Sequence, residues 1–543
     1  MRVWLAITTA MLLTCVFPCT TNAADWHAEG KKGAVVAGGP KAVDAGMEIL
    51  RAGGNAIDSA VATLLALSVT DSGAYCFGGE VPILVYNARR GCVEVLAGQG
   101  VAPRLATREY FAARGGIPGS GIEPAAVPAV LDVCITALER HGRMSFTEVI
   151  APTLRLLDSD PSGWHGDLAK TFRRLIIAEH GATKDRIRGL RLVADEFYRG
   201  DIAREIAAWS EANGGLIRYE DLATHVTRIE EPLSIDYRGY TVYKCGTWTQ
   251  GPYFLQTLKL LEGFDLHTMG HNRAQTIHTV IEAMKLALAD RDTYYADPLF
   301  EDVPIDALLS DEYTAKRREL IDPERASLKQ RPGDPHAGKP LLGHGPGRTG
   351  PGGANSDTTT CLVADSEGNV VAATPSGWSG VVAGSTGVVL GTRLQSFNAW
   401  EGHPNCIAPG KRPRITLTPT LVSKNNRPVL AISVAGGDGQ DQASLQLFLN
   451  AVEFGQHPAA AVTSARFGTS HLVGSFRQPP PKLGSLTLYH ELANSLGDAL
   501  RAKGHKVQTT GAPLWAPSLL TIDEEGTIRV AGDPKARRHA AAY

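Results

Sequence analysis

Apolar positions along the chain follow two rhythms, and the change from one to the other divides the sequence. From Lys41, KAVDAGMEILRAGG has the three-to-four spacing of a helix with one buried face, ending at Gly53-Gly54. Asn55 can cap a second helix, with Asp58 in its first turn and an apolar face through Ala60, Leu64 and Leu67. FGGEVPILVYNARRGCVEVLAG predicts two strands around a turn at residues 87–91. Residues 125–230 are mostly helical in pattern, LSIDYRGYTVYKC predicts a hairpin, and FLQTLKLLEGF and TIHTVIEAMKLALADRDTYY predict further helices. After residue 357 the rhythm becomes β. TTTCLVAD, the turn SEGN and VVAAT make a tight hairpin, followed by strands at TLTPTLVS and PVLAISVA. Helices at QASLQLFLNAVEFG and LYHELANSLGDALRAKG and a closing hairpin at SLLTIDEEGTIRVAG complete the chain. Apolar strands among helical segments predict an α+β protein, a sheet sandwich covered by helices on both sides.

One stretch breaks both rhythms. Residues 323–357 are rich in Gly, Pro and charge and cannot build a core, so an exposed, mobile loop is expected there. At the other end, MRVWLAITTAMLLTCVFPCTTNAADW has Arg2, an apolar run from Val3 to Phe17 and small residues to Ala23 or Ala24. That is the layout of a signal peptide over residues 1–23, cut after Ala23 or Ala24, and it predicts a periplasmic or secreted protein. The run is too short to span a bilayer comfortably, so no membrane span is expected after the cut. Cys15 and Cys19 leave an N-terminal lipid anchor as the alternative, though neither follows the usual small pair.

Composition narrows the function classes. The 543 residues are 43% hydrophobic and 20% charged, which suits a soluble enzyme and not a disordered chain. A net charge of −2 gives no basic field for nucleic acid or a membrane surface. Six of the eight cysteines lie beyond the leader, widely spaced and without a C-x-x-C, so zinc and redox motifs are unsupported and buried free thiols are expected for most. The glycine-rich GHGPGRTGPGG contains prolines and lacks the Lys-Ser/Thr of a phosphate loop. His267 and His271 have helical spacing but no HExxH, and surface or capping roles are expected. No G-x-S-x-G elbow occurs.

The junction Asp357-Thr358 carries more chemistry. Cut there, Thr358 would present a hydroxyl and an α-amine on one residue. A threonine hydroxyl needs a base before it can attack. An α-amine, with a pKa of about 7.7–8.0, is far more often free base at neutral pH than a lysine at about 10.4. The new terminus would therefore bring its own general base. A threonine-rich strand start accounts for the same residues, and the local sequence alone does not choose between them.

A wider pattern does. GMEILRAGGNAIDSAVA, LSVTDSGAYCFGG, Val101-Ala102-Pro103, ALADRDTYYADP, DTTTCLVADSEGNVV, APGKRPRITLTPTLV, residues 435–437 and the tail GDPKARRHAAAY occur in one order from Gly46 to Tyr543. In these the chain resembles the γ-glutamyltranspeptidase family of N-terminal-nucleophile hydrolases. The resemblance implies a four-layer αββα sandwich, one intertwined domain made as a proenzyme. It would cut itself into a large subunit, 24–357, and a small catalytic subunit, 358–543. It also implies Thr358 as nucleophile, Gly436 and Gly437 as the oxyanion hole, and Ser376 in place of a threonine that bonds the nucleophile's amine. The implied reaction is a double displacement on a small-molecule amide, with water or an amine as acceptor and no metal or organic cofactor.

The departures fall on the substrate side. The arginine that pairs with the glutamyl α-carboxylate is replaced here by Gln99, and the aspartate that holds the α-amine by Gln395. An asparagine becomes Trp378 and a Ser-Ser pair becomes Ile415-Thr416. Losing a bidentate arginine contact weakens glutamate binding. Three readings follow. The first is a γ-glutamyl hydrolase or transferase on glutathione-like compounds. The second is an amidase or acylase with another acyl donor, like the cephalosporin acylases and oxamate amidohydrolases that the chain also resembles. The third is an inactive binding protein, against which the set Thr358, Ser376, Gly436 and Gly437 argues.

Overall fold

A computed structural model describes residues 25–182, 185–335 and 357–543. The leader and most of the glycine- and proline-rich stretch, 336–356, lie outside the described residues. No described helix is long and apolar enough to cross a membrane.

Two seven-stranded antiparallel sheets organise the molecule. In the first, Cys361–Asp365 and Val370–Ala373 form the expected hairpin, with Gly33–Ala37 and His539–Ala542 on one side. Ile83–Asn87, Cys92–Ala97 and Arg228–Glu230 follow on the other. The second runs His27–Gly30, Ile528–Gly532, Ala516–Ile522, Arg427–Ala435, Thr420–Lys424, Tyr240–Lys244 and Leu233–Tyr237. Strands covered on both faces are continuous apolar runs, as in Gly33–Ala37 and Cys361–Asp365, where every residue is buried. The edge strand Leu233–Tyr237 alternates with solvent instead.

Three main cores and a smaller one around Phe111 and Phe397 divide the packing of the described residues. Side chains of both sheets meet in one, Leu362, Ala364 and Ala372 lying with Leu421, Ala431 and Val530. The opposite face of the first sheet packs on helices including Pro40–Arg51 and Ala56–Thr70. That of the second packs on Pro252–Leu261, Ala274–Tyr294 and Gln440–Val452. The two N-terminal helices form where the pattern puts them, and Asn55 and Asp58 make a full capping box. The pattern missed Gly33–Ala37, the C-terminal strand His539–Ala542, and a small three-stranded sheet of Phe467–Gly468, Ser485–Tyr489 and Lys506–Thr510. These are short or lack alternation, so a period of two is not visible in them. All six described cysteines are free thiols, four of them buried.

Candidate active site

The chain enters the central hairpin through Asp357, Thr358, Thr359 and Thr360, all buried. Regular strand begins only at Cys361, but pairing continues beyond it. Thr358 bridges Ser376, and the Thr359 amide donates to the Pro375 carbonyl at 2.9 Å. The three hydroxyls then have three fates. Thr359 Oγ1 donates to Asp71 Oδ2 at 2.5 Å, and Thr360 Oγ1 lies 2.8 Å from Ser518 Oγ. Thr358 Oγ1 lies 3.2 Å from Ser376 Oγ, and Thr358 lines a cleft of about 860 Å³.

Gly436 and Gly437 line the same cleft, where Arg427–Ala435 turns into the helix Gln440–Val452. Gly436 has φ +148°, and a β-carbon on it would lie 2.3 Å from Trp515 Cδ1, so only glycine fits. Gln250 Nε2 donates to the carbonyls of Gly437 at 3.3 Å and Thr416 at 3.1 Å. Gln250 Oε1 accepts from Arg291, which also donates to Asp438 Oδ1 at 2.8 Å. Burial acts against the Asp438 carboxylate, but Arg291 and Arg414 hold it below the ordinary range. This buried lattice anchors the glycine turn. Arg538 also lines the cleft, its Nη2 3.5 Å from the Thr358 carbonyl.

Behind Thr358 is a charged cluster. The Ser376 hydroxyl donates to the Asp357 carbonyl and accepts from Arg393 Nη2 at 2.6 Å. Arg393 is 1% exposed, and its Nε donates to Glu80 Oε1 at 2.6 Å. The Asp357 carboxylate lies 3.9 Å from Arg393 Nη2. Burial pushes Glu80 up to about 7 and Asp357 up to about 6, against the pull of the one guanidinium they share.

The residues expected to choose the substrate sit apart from the cleft lining. Gln99 is 2% exposed, its Nε2 donating to the Gly100 carbonyl at 2.8 Å and its Oε1 without a partner. Gln395, in the turn Arg393–Ser396, donates to Thr392 Oγ1 at 2.9 Å. Trp378 is half-buried, with its ring 6.1 Å from that of Trp164. Thr416 is buried with Oγ1 unpartnered. The structure therefore gathers Thr358, Ser376, Gly436 and Gly437, and adds Glu80, Arg393, Gln250, Arg291, Asp438, Trp515 and Arg538. A carboxylate within FGGEVPILVY and the charges of ALADRDTYY were the available signals. His267 is exposed at the Glu453 carbonyl and His271 packs on Phe454. His278, Glu282 and His505 come close enough to surround a metal ion. The two imidazoles bond each other at 2.9 Å and Glu282 is paired with Lys285 and Arg331, while His505 Nδ1 has no partner.

The family model of gamma-glutamyltranspeptidase matches residues 42–159 and 164–543. The chain belongs to the γ-glutamyltranspeptidase family. It is 28% identical over 540 residues to the glutathione hydrolase-like YwrD proenzyme of Bacillus subtilis (strain 168), across 93% of this chain and 97% of that one. It is 30% identical over 549 residues to the acylase ACY 1 proenzyme of Pseudomonas sp. (strain SE83), across 92% of each. The solved structure of LmbA2991T421A is 31% identical and superposes with a TM-score of 0.87, covering 95% of this chain and 99% of that one. Within the γ-glutamyltranspeptidase family the chain is an enzyme of the amidohydrolase and acyltransferase kind.

Proposed function

We propose that the chain cuts itself between Asp357 and Thr358 and then uses Thr358 as the nucleophile of an amidohydrolase or acyltransferase. The observation that carries this reading is Thr358, whose hydroxyl contacts Ser376 and which lines the same cleft as Gly436 and Gly437. After the cut, the Thr358 α-amine takes the hydroxyl proton and Oγ1 attacks the amide carbonyl. Backbone N–H groups of the glycine turn meet the oxyanion, the C–N bond breaks as the α-ammonium gives its proton to the leaving amine, and water or an amine then releases the acyl group. The helices, two sheets and helices of the fold are then the four layers of an αββα sandwich, built jointly by subunits 24–357 and 358–543. The proenzyme names of both relatives support a cut precursor. Export follows from the N-terminal layout, Arg2 ahead of an apolar run. Denaturing electrophoresis of purified protein should give two fragments divided at 357/358, and Thr358→Ala should stay whole and inactive. A single full-length band from the parent after long incubation would sink the reading.

For the acyl group, γ-glutamyl compounds such as glutathione are the first reading, supported by the glutathione hydrolase-like relative. A non-glutamyl acyl donor is the second, and one observation favours it. Gln99 and Gln395 bring no charge, and the Gln99 amide nitrogen is spent on its own neighbour's carbonyl. The acylase relative fits that reading. A panel of γ-glutamyl, glutaryl and simple acyl p-nitroanilides separates the two. Turnover confined to the γ-glutamyl member would reject the second reading, and its absence from that member would reject the first.

A further inference from the structure

We propose that the buried Glu80–Arg393 pair is a positioning device for the self-cleavage, with Arg393 committing the Ser376 proton to the carbonyl oxygen of the bond that breaks. The inference rests on the reading of 357/358 as the cut bond. Before the cut, the Thr358 nitrogen is an amide and offers no base, so the hydroxyl proton needs another destination.

Ser376 can supply one because of what surrounds it. A serine hydroxyl has one proton and two lone pairs. Arg393 Nη2, at 2.6 Å, can only donate, and it occupies one lone pair. The Asp357 carbonyl can only accept, and it takes the proton. The remaining lone pair faces Thr358 Oγ1 at 3.2 Å, which must then be the donor. All the bonds run one way, from Thr358 through Ser376 to the Asp357 oxygen. Without Arg393, Ser376 could turn and donate to Thr358, which would block the attack.

The step balances along this route. Thr358 Oγ1 bonds to the Asp357 carbonyl carbon, its proton passing to Ser376 as the Ser376 proton passes to the carbonyl oxygen. The C–N bond then breaks, the carbonyl re-forms, and the hydroxyl proton moves to the Thr358 nitrogen. The result is an ester on Oγ1 and a free amine. Water hydrolyses the ester, leaving a carboxylic acid on Asp357 and the Thr358 hydroxyl.

Glu80 keeps the guanidinium in place. It takes Arg393 Nε at 2.6 Å, while the Asp357 carboxylate at 3.9 Å from Nη2 is beyond hydrogen-bond reach. A pair serving only to fill space gains little, since burying two charges seldom improves on apolar packing. This one ends on the hydroxyl that holds the scissile carbonyl.

The test follows self-cleavage of freshly synthesised full-length chain over time on denaturing gels, in a double-mutant cycle. Arg393→Met should slow cleavage at least about tenfold, the loss of one charge-assisted bond. Arg393→Lys, which keeps a charged donor, should recover part of the rate. In a Ser376→Ala background, Arg393→Met should change the rate less than about twofold, because its effect passes through Ser376. A fold-neutral check is the uncharged pair Glu80→Gln with Arg393→Gln, which should be as slow as Arg393→Met. Additive losses in the cycle would overturn the proposal, as would parental rates in Arg393→Met or the uncharged pair. A parent that never cuts would instead remove the functional reading beneath it.

Discussion

Gly436 shows how little tolerance the site has at the scale of one residue. Its φ of +148° and the Trp515 ring 2.3 Å from any added β-carbon leave no room for alanine. Gly436→Ala should push the turn out of line and lower kcat about a hundredfold, the order seen when an oxyanion donor is lost. A kcat within a few-fold of the parent would place the oxyanion hole elsewhere. Glu80 offers a second test. Its carboxyl, raised by burial to about 7 from 4.5, holds a proton more tightly folded than unfolded. That stabilising contribution is complete below about pH 4.5 and is lost as pH rises through about 7. In the uncut Thr358→Ala chain, thermal unfolding should show Glu80→Gln gaining stability relative to its parent between pH 5 and pH 8. A constant gap across that range would mean Glu80 stays charged throughout.

Elements were read from the sequence with uneven success, for physical reasons. The two N-terminal helices are plain because capping and amphipathic spacing are local, and Asn55 and Asp58 cap as the pattern says. Their close approach is also written in the sequence, at Gly46. A β-carbon there would meet Thr63 Oγ1 at 2.2 Å, so Gly46→Val should cost about 1–3 kcal/mol, seen as a lower Tm. An unchanged Tm would mean the helices can part without loss. The central hairpin was legible from its turn and its apolar runs. Gly33–Ala37 was not, because five buried residues without alternation carry no period to detect. The same limit applies to the site. Thr358, Ser376, Gly436 and Gly437 came from the family resemblance, whereas Arg393 and Glu80 lie 313 positions apart and meet only in space.

For the whole molecule, the strand order decides what a cut at 357/358 can do. Gly33–Ala37 pairs with Cys361–Asp365 and with His539–Ala542, and Tyr240–Lys244 pairs with Thr420–Lys424. Each seven-stranded sheet is thus built from both sides of the junction, and the three main cores share residues from both. The two fragments should therefore elute as one species in gel filtration under native conditions and part only when denatured. Free fragments at neutral pH would contradict this.

The sequence by itself determined the reaction class and the main elements. Helix capping, turn chemistry, apolar runs and the ordered blocks around Thr358 are all local features of the chain. Tertiary structure alone decided which of the three threonines lines the cleft and which partner each hydroxyl meets, Ser376 for Thr358, Asp71 for Thr359 and Ser518 for Thr360. It alone revealed that the Asp357 carbonyl is held by a serine whose second partner is a buried arginine. Such contacts depend on sheet pairing between distant segments, and no local pattern encodes which segments will pair.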